Sequence, residues 1–359
     1  MKRIVLCLLV FLLLLTACAS EPDRKGDRSR KEREKETFTL LDDSGAYPLY
    51  YYNYTRDYEF DQFLSRGGAA DTEALVSYCL ELFPDMELTL NGLGYGCSSY
   101  CALDADGEVF FGRNFDMDAA NTGAYMVVHT DPKGGYESYS TVNLGFLGIR
   151  APEDPVGDDT SALLLAPYIP LDGINSEGVA ICVLQLNTAP IFCEGGKVAL
   201  TPTTIIRSVL DNAADLEEAL EIFEEASFYT EGYAYHFMIA DRKGNCAVVE
   251  YVDNEMVVVP MEDQPLACAN AHISQEGREF YRVYDHNESD RRVEAILGGI
   301  TENMNTDSAM EALSKAWVGG TRWSIVYELT DCELHMTVNR DDMIYSFAFD
   351  GSIKKVPAT

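Results

Sequence analysis

The sequence predicts a layered α+β domain, and three observations carry that prediction. Strand-like runs fall into two groups along the chain, two capped amphipathic helices lie in tandem between them, and no internal repeat is visible. From Cys97 onward the chain has about 260 residues, enough for one domain with a sizeable core.

The first strands are CSSYCAL and EVFFGRN, which flank Asp104-Ala105-Asp106-Gly107; an acidic, glycine-bearing turn between apolar runs predicts a hairpin. Further strands are expected at Ala124 to Thr130, Ser138 to Leu147, Gly178 to Leu186, Ala234 to Ala240, Ala247 to Tyr251 and Met256 to Val259. Trp323 to Glu328, Leu334 to Val338 and Met343 to Phe349 complete the second group. Thr201-Pro202 supplies a cap and a first-turn proline for TTIIRSVLDNA, and Asp215 caps LEEALEIFEEA. Two more helices are expected at Asp290 to Leu297 and Thr306 to Trp317.

Upstream of this domain the chain changes character twice. Met1-Lys2-Arg3 precedes an apolar run from Ile4 to Leu15, then Thr16, Ala17 and Cys18. A basic start, a short apolar stretch and small residues at its end describe an export signal over 1–17. The run is too short to span a bilayer as a mature helix. Leu15 to Cys18 resembles a bacterial lipobox, with Cys18 acylated and holding the protein on a membrane surface outside the cytoplasm; the plain alternative is an ordinary signal peptide with an incidental cysteine. Residues 18–37 are dense in charges of both signs and read as a solvated tether. Residues 38–96 are aromatic and acidic at first, then helix-like from Asp71 to Phe83, and end in NGLGYG. They read as a pro-segment or N-terminal subunit, too apolar for a tether and expected to pack on the domain at 97–359.

The net charge of −32, from 27 basic and 59 acidic side chains, argues against nucleic acid or anionic lipid as a partner of the folded part. A homo-oligomer is compatible with this composition. Most of the ten cysteines sit singly inside apolar runs, as small buried hydrophobes do. No Cys and His spacing suggests zinc, HExxH and GxxxxGK[ST] are absent, and no cofactor or metal is expected.

The chemistry concentrates in GCSSYCALDADGEVFFGRNFDMD, residues 96–118. A hairpin that begins with a thiol, turns at Asp106-Gly107 and returns to Arg113 and Asp116 brings a nucleophile, a cation and a carboxylate to one end of two paired strands. The bland alternatives are a buried core cysteine and a surface ion pair. A Cys97–Cys101 disulfide is ruled out, because four strand residues span about 13 Å against a usual Cα separation of about 4.4 to 6.8 Å.

This stretch resembles the choloylglycine hydrolase family, which includes bile salt hydrolases and penicillin V acylases, with isopenicillin N acyltransferase more distant. There a cysteine that becomes the mature N-terminus is followed by a strand, an acidic-glycine turn and GRN-x-D at the spacing seen here. Leu171-Asp172-Gly173-Ile174-Asn175-Ser176-Glu177-Gly178 is similar to the family's next loop; Tyr235-His236-Phe237 through Val248-Val249-Glu250 is similar to its next hairpin; Cys268-Ala269-Asn270 falls where it carries an oxyanion-hole asparagine. These anchors cover roughly residues 97 to 295.

The resemblance implies a four-layer αββα sandwich of the N-terminal-nucleophile type and hydrolysis of a linear amide of an N-acyl small molecule through a thioester. It implies a cut at Gly96-Cys97, because a terminal cysteine has an α-amine, of free pKa about 7.7 to 8.0, to serve as base. Arg113 would favour the thiolate, Asp116 would orient the α-ammonium, and Asn270 would donate to the oxyanion together with the backbone N–H near Gln185. Asn187 is two residues from Gln185, so the register of that donor is open. Arg292 corresponds to the family's last active-site arginine, with its neighbour Arg291 as the alternative. Asn175 reads as a turn-former, His236 as a satisfied core histidine and Cys101 as core. An acyltransferase of the same mechanism, a non-catalytic ligand-binding lipoprotein and a processed cysteine peptidase are the competing functions, and loops 117–124 and 151–170 are expected to select the substrate.

Overall fold

The computed structural model describes residues 36–84, 96–149, 160–262, 264–281 and 287–358. The export segment, Cys18, nearly all of the charged tether, the residues just before Gly96 and part of the 151–170 loop lie outside them.

The hairpin read around Asp104–Gly107 is β3 (Gly96–Leu103) and β4 (Val109–Asp116), paired antiparallel with Cys97 opposite Phe115. Asp104 closes the turn by accepting the N–H groups of Asp106 and Glu108, and Gly107 takes the positive φ of 88° that the reversal demands. β4 pairs on its other edge with β16 (Thr321–Glu328), which leads through β17 (Glu333–Val338) and β18 (Met343–Ala348) to β19 (Ile353–Pro357). With β15 (Leu266–Cys268) against β3, these strands make a seven-stranded sheet.

The second sheet has nine strands, in the order β1-β2-β5-β6-β7-β8-β12-β13-β14. Its strands are β1 (Thr37–Asp42), β2 (Leu49–Tyr54), β5 (Tyr125–Thr130), β6 (Ser138–Asn143), β7 (Asp172–Asn175), β8 (Ala180–Leu186), β12 (Ala234–Ala240), β13 (Cys246–Val252) and β14 (Glu255–Pro260). A small sheet of β9 (Phe192–Cys193), β10 (Val198–Leu200) and β11 (Ala226–Tyr229) stands apart.

Helices close the two outer faces. The helices of the first block are α1 (Phe60–Ser65) and α2 (Thr72–Leu82). α3 (Pro202–Asn212) lies on β7 and β8, with α4 (Leu216–Glu225) beside it. On the other sheet, after the short α5 (Gln275–Tyr281), α6 (Asn287–Leu297) and α7 (Thr306–Ser314) cover β3, β4, β15 and β16. β3 meets β8 and β12 face to face, so the layers run helix, sheet, sheet, helix. The caps are those the sequence advertises: Thr201 and Thr204 form a reciprocal capping box ahead of α3, and Asp215 accepts from the Glu218 N–H. α7 buries Ala309, Met310 and Leu313 with Tyr100, Phe110 and Val326 of the sheet, a second core separate from the one between the sheets.

Five local expectations are corrected. The run Ser138 to Leu147 is not one strand: Asn143 accepts the N–H groups of Gly123 and Gly145, which turns the chain into a 3₁₀ helix at Leu144. The Asp172–Asn175 turn is a short buried strand, although Asn175 does hold the following turn, accepting from Glu177 and Val179. Helix α7 stops at Ser314 rather than Trp317, and α6 begins three residues before Asp290. The block from residue 38 holds two sheet strands that the aromatic crowding of AYPLYYYNY had hidden. β2 lies parallel to β5, with Tyr50 opposite Met126 and Tyr52 opposite Val128. Behind it Tyr54, Tyr58, Phe60, Phe63 and Tyr78 gather round Tyr168. Tyr58 also donates to Asp211 on α3 at 2.9 Å.

Candidate active site

Strand alternation sorts the hairpin's side chains by layer. Ser99, between Cys97 and Cys101 on β3, meets Met238 and Cys182 of the facing sheet. Ser98 and Asn114, out of phase with them, meet α6 and α7 through Arg292 and the Leu313 carbonyl.

Cys97 is wholly buried, and Arg113 Nη2 donates to its sulfur at 3.2 Å. The guanidinium is equally buried and held through both terminal nitrogens: Nη1 donates to the Leu171 carbonyl at 2.7 Å and to Asp172, and Nη2 also donates to the Val183 carbonyl at 3.0 Å. Its face lies 5.2 Å from the centre of the Phe115 ring. Asp172 in turn accepts from Thr141 at 2.6 Å and from the Tyr327 hydroxyl at 2.5 Å. A permanently charged side chain withdrawn from water requires such a counterion.

Asp172 is thus the residue that motif reading passed over. The signal was present in the Leu171-Asp172-Gly173 stretch, and the physical clue is that an inward arginine on a central strand must meet a carboxylate.

Burial pushes the Cys97 thiol above its ordinary range, Arg113 pulls it back, Asp116 adds to the rise, and the balance is upward. Arg113 acts in the direction the sequence reading expects, toward the thiolate, and in the intact chain burial outweighs it.

Asn270 follows β15, whose Cys268 pairs with Ser99 and so brings the next residues to the start of β3. Its side-chain oxygen accepts the Cys97 N–H at 2.9 Å and Arg292 Nη1 at 3.3 Å, while its Nδ2 donates to the Gln185 carbonyl at 2.8 Å. These are the contacts of the uncut chain. The Cys97 nitrogen is met by Asn270 rather than by Asp116, because Asp116 stands opposite Gly96 in the hairpin register. One Asn270 N–H is already engaged, and at Gln185 the contact seen is the carbonyl, not the N–H. Gln185 itself is buried and donates from Nε2 to the exposed Asn187 at 3.3 Å.

Asp116 accepts from Thr321 at 2.7 Å and pairs with Arg292, both ends nearly buried. Arg292 enters from α6, also donating to Ser98 and to the Ala316 carbonyl, each at 3.2 Å. Arg291 is exposed, a step of about 100° round the helix, so Arg292 is the arginine that reaches the cluster. A side chain at position 96 would be tight: a Cβ there comes within 3.3 Å of Asp116 and 3.5 Å of Asn270. The arrangement presents a thiol, two buried cations, a carboxylate and an amide at a single peptide bond, Gly96-Cys97.

The sequence model described as linear amide C–N hydrolases, choloylglycine hydrolase family, matches residues 97–287. No curated protein matches the chain. Among solved structures, penicillin V acylase from Agrobacterium tumefaciens is 17% identical, with a TM-score of 0.52 over 73% of this chain and 91% of that one. A variant of conjugated bile acid hydrolase from Clostridium perfringens is 14% identical, with a TM-score of 0.49 over 73% and 97%. The Caenorhabditis elegans ortholog of N-acylethanolamine-hydrolyzing acid amidase is 16% identical, with a TM-score of 0.45 over 65% and 93%. The likeness to the acylase matches the layered α+β architecture expected from the N-terminal-nucleophile resemblance.

Proposed function

This chain belongs to the choloylglycine hydrolase family of linear amide C–N hydrolases, and from that premise we propose that Cys97, freed by a cut after Gly96, is the nucleophile toward an N-acyl small molecule. The observation that carries the reading is the convergence on one peptide bond: Arg113 on the Cys97 sulfur, Asn270 on its nitrogen, and Asp116 with Arg292 beside Gly96.

In the cut, Cys97 Sγ attacks the Gly96 carbonyl carbon and the acyl group passes from nitrogen to sulfur. The released nitrogen keeps its own hydrogen and takes up the proton that the thiol gives up, becoming the α-amine; water then cleaves the thioester, leaving a carboxylate on Gly96 and restoring the thiol. In turnover the α-amine takes the thiol proton as sulfur attacks the acyl carbon of the substrate. The leaving amine receives that proton when the tetrahedral intermediate collapses to a thioester, and water releases the acid. Arg113 supports the sulfur's negative charge. Asn270 has a second N–H beyond the one given to Gln185, and that hydrogen serves the oxyanion together with the backbone N–H near Gln185. Asp116, held by Thr321 and Arg292, accepts from the α-ammonium once it exists.

We place the enzyme outside the cytoplasm on a lipid anchor at Cys18, on the strength of the Leu15–Cys18 motif and the charged spacer behind it. Acyl amides represented by penicillin V, conjugated bile acids and N-acylethanolamines are the compounds to screen.

The test is intact mass and N-terminal sequencing of the soluble chain from residue 21, beside Cys97→Ala. A fragment starting at Cys97 in the wild type alone supports the mechanism. A chain that stays whole on long incubation overturns it and leaves a binding lipoprotein.

A further inference from the structure

Behind Asn270 lies a buried polar cluster outside the reaction path. Glu250 on β13 accepts from five donors: His236 Nδ1 at 3.2 Å and the Ile273 N–H at 2.7 Å on one oxygen, His272 Nδ1 at 3.2 Å with the Ser274 N–H at 3.2 Å and its hydroxyl at 2.6 Å on the other. Burial pushes this carboxyl up, but the bonds from His236 and His272 outweigh it and hold Glu250 well below the usual carboxylate range. Glu250 is an anion.

His236, on the neighbouring β12, is fully buried between two acceptors. Its Nδ1 faces the Glu250 carboxylate, and its Nε2 lies 2.7 Å from the carbonyl oxygen of Ala269. Neither partner can donate, so both ring nitrogens must. His272 is different: its Nδ1 meets Glu250, while its buried Nε2 has no partner among the described residues. Ala269 immediately precedes Asn270, and its carbonyl belongs to the planar peptide whose nitrogen is Asn270's own.

We infer that His236 is held as an imidazolium whose Nε2–H pins the Ala269 carbonyl, and that His236 and Glu250 are therefore positioning residues for Asn270. The inference rests on the role of Asn270 in the proposed reaction and deepens it. A neutral ring would satisfy one acceptor and turn a lone pair on the other, freeing the 269–270 peptide to rotate. The Asn270 amide would then leave the Gln185 carbonyl and the Cys97 nitrogen together.

Two measurements read this without any substrate. In the full soluble chain labelled with ¹⁵N, the histidine ring spectrum at neutral pH should contain a signal of a ring protonated at both nitrogens that is lost in His236→Gln and kept in Cys97→Ala. The Asn270 side-chain amide, assigned through Asn270→Asp, should lose its hydrogen-bonded shift in Glu250→Gln and regain it in Glu250→Asp, with the backbone spectrum unchanged beyond the residues that contact Glu250, Ile273 and Ser274 among them. On any acyl amide the wild type turns over, Glu250→Gln should lower kcat roughly ten- to a hundredfold, short of losing the donor itself, with KM within about twofold. A neutral His236 in the wild type, or an Asn270 amide indifferent to Glu250→Gln, would overturn the inference. Absence of turnover in the wild type would count against the proposed reaction alone.

Discussion

Replacing Asp172 by Asn should harm the protein more than replacing Arg113 by Met, although Arg113 is the residue that touches the thiol. Both partners of this pair are wholly buried. Asp172→Asn removes the only carboxylate bonded to Arg113 among the described residues and turns an amide toward groups that already donate, while the guanidinium cannot shed its charge. An uncompensated buried charge costs about 3 to 5 kcal/mol. In Arg113→Met the orphan is a carboxyl, which can take a proton and keep the Thr141 and Tyr327 bonds, so the cost should be about 1 to 3 kcal/mol. Against a total of about 5 to 15 kcal/mol, the first change consumes a large share of the stability. The assay is urea unfolding followed by fluorescence, in a Cys97→Ala background so that processing does not confound it. Midpoints for Asp172→Asn and Arg113→Met that coincide, or a loss below about 1 kcal/mol for the former, would refute the reasoning and mean that water screens the pair.

Four further outcomes follow from the same geometry. Gly96→Val should fold yet remain uncut, because its Cβ already stands 3.3 Å from Asp116 and the branches have nowhere to go; a band at the mass of the Cys97 fragment would contradict this. In that trapped form Cys97 should alkylate with iodoacetamide more slowly at pH 8 than a free thiol, since burial raises its pKa, and faster once the wild-type chain is cut. Asn270→Ala should lower kcat by about 10²- to 10³-fold with the Cys97 fragment still formed, provided that the cut and turnover use separate donors; simultaneous loss of both would assign one donor to both. Glu250 has a depressed folded pKa, so its stabilisation is complete above its unfolded value of about 4.3 and fades as pH falls through the folded value. The stability gap between wild type and Glu250→Gln should therefore be full at pH 7 and shrink below about pH 4, which melting curves across that range would show.

What the sequence made legible is what local chemistry determines. The β3–β4 hairpin follows from an acidic-glycine turn between alternating runs, and α3 and α4 from caps written into Thr201, Pro202 and Asp215. Ala234–Ala240 was legible to the residue because both its ends are set by turns of its own. The partner choices were not legible, since they depend on tertiary register. Asp172 lies 59 positions from Arg113 and Asn270 lies 173 from Cys97, and no periodicity spans such distances. Arg291 and Arg292 differ only in helical phase, which is undetermined until α6 docks. The two strands before Tyr54 were hidden because aromatic residues favour strands and packed clusters alike; only their addition to β5 tells which.

The placement of β2 between β1 and β5 has a consequence for what a cut at Gly96 would do. Backbone scission there breaks one covalent bond and none of the β2–β5 hydrogen bonds, so the product is a complementation pair in which a short chain supplies two strands of a sheet that the long chain otherwise builds. Its integrity then obeys mass action rather than connectivity. Tyr58, bonded to Asp211 and packed on Tyr168, would be an intermolecular contact from that moment on. Dilution, which leaves a single chain indifferent, becomes a denaturant.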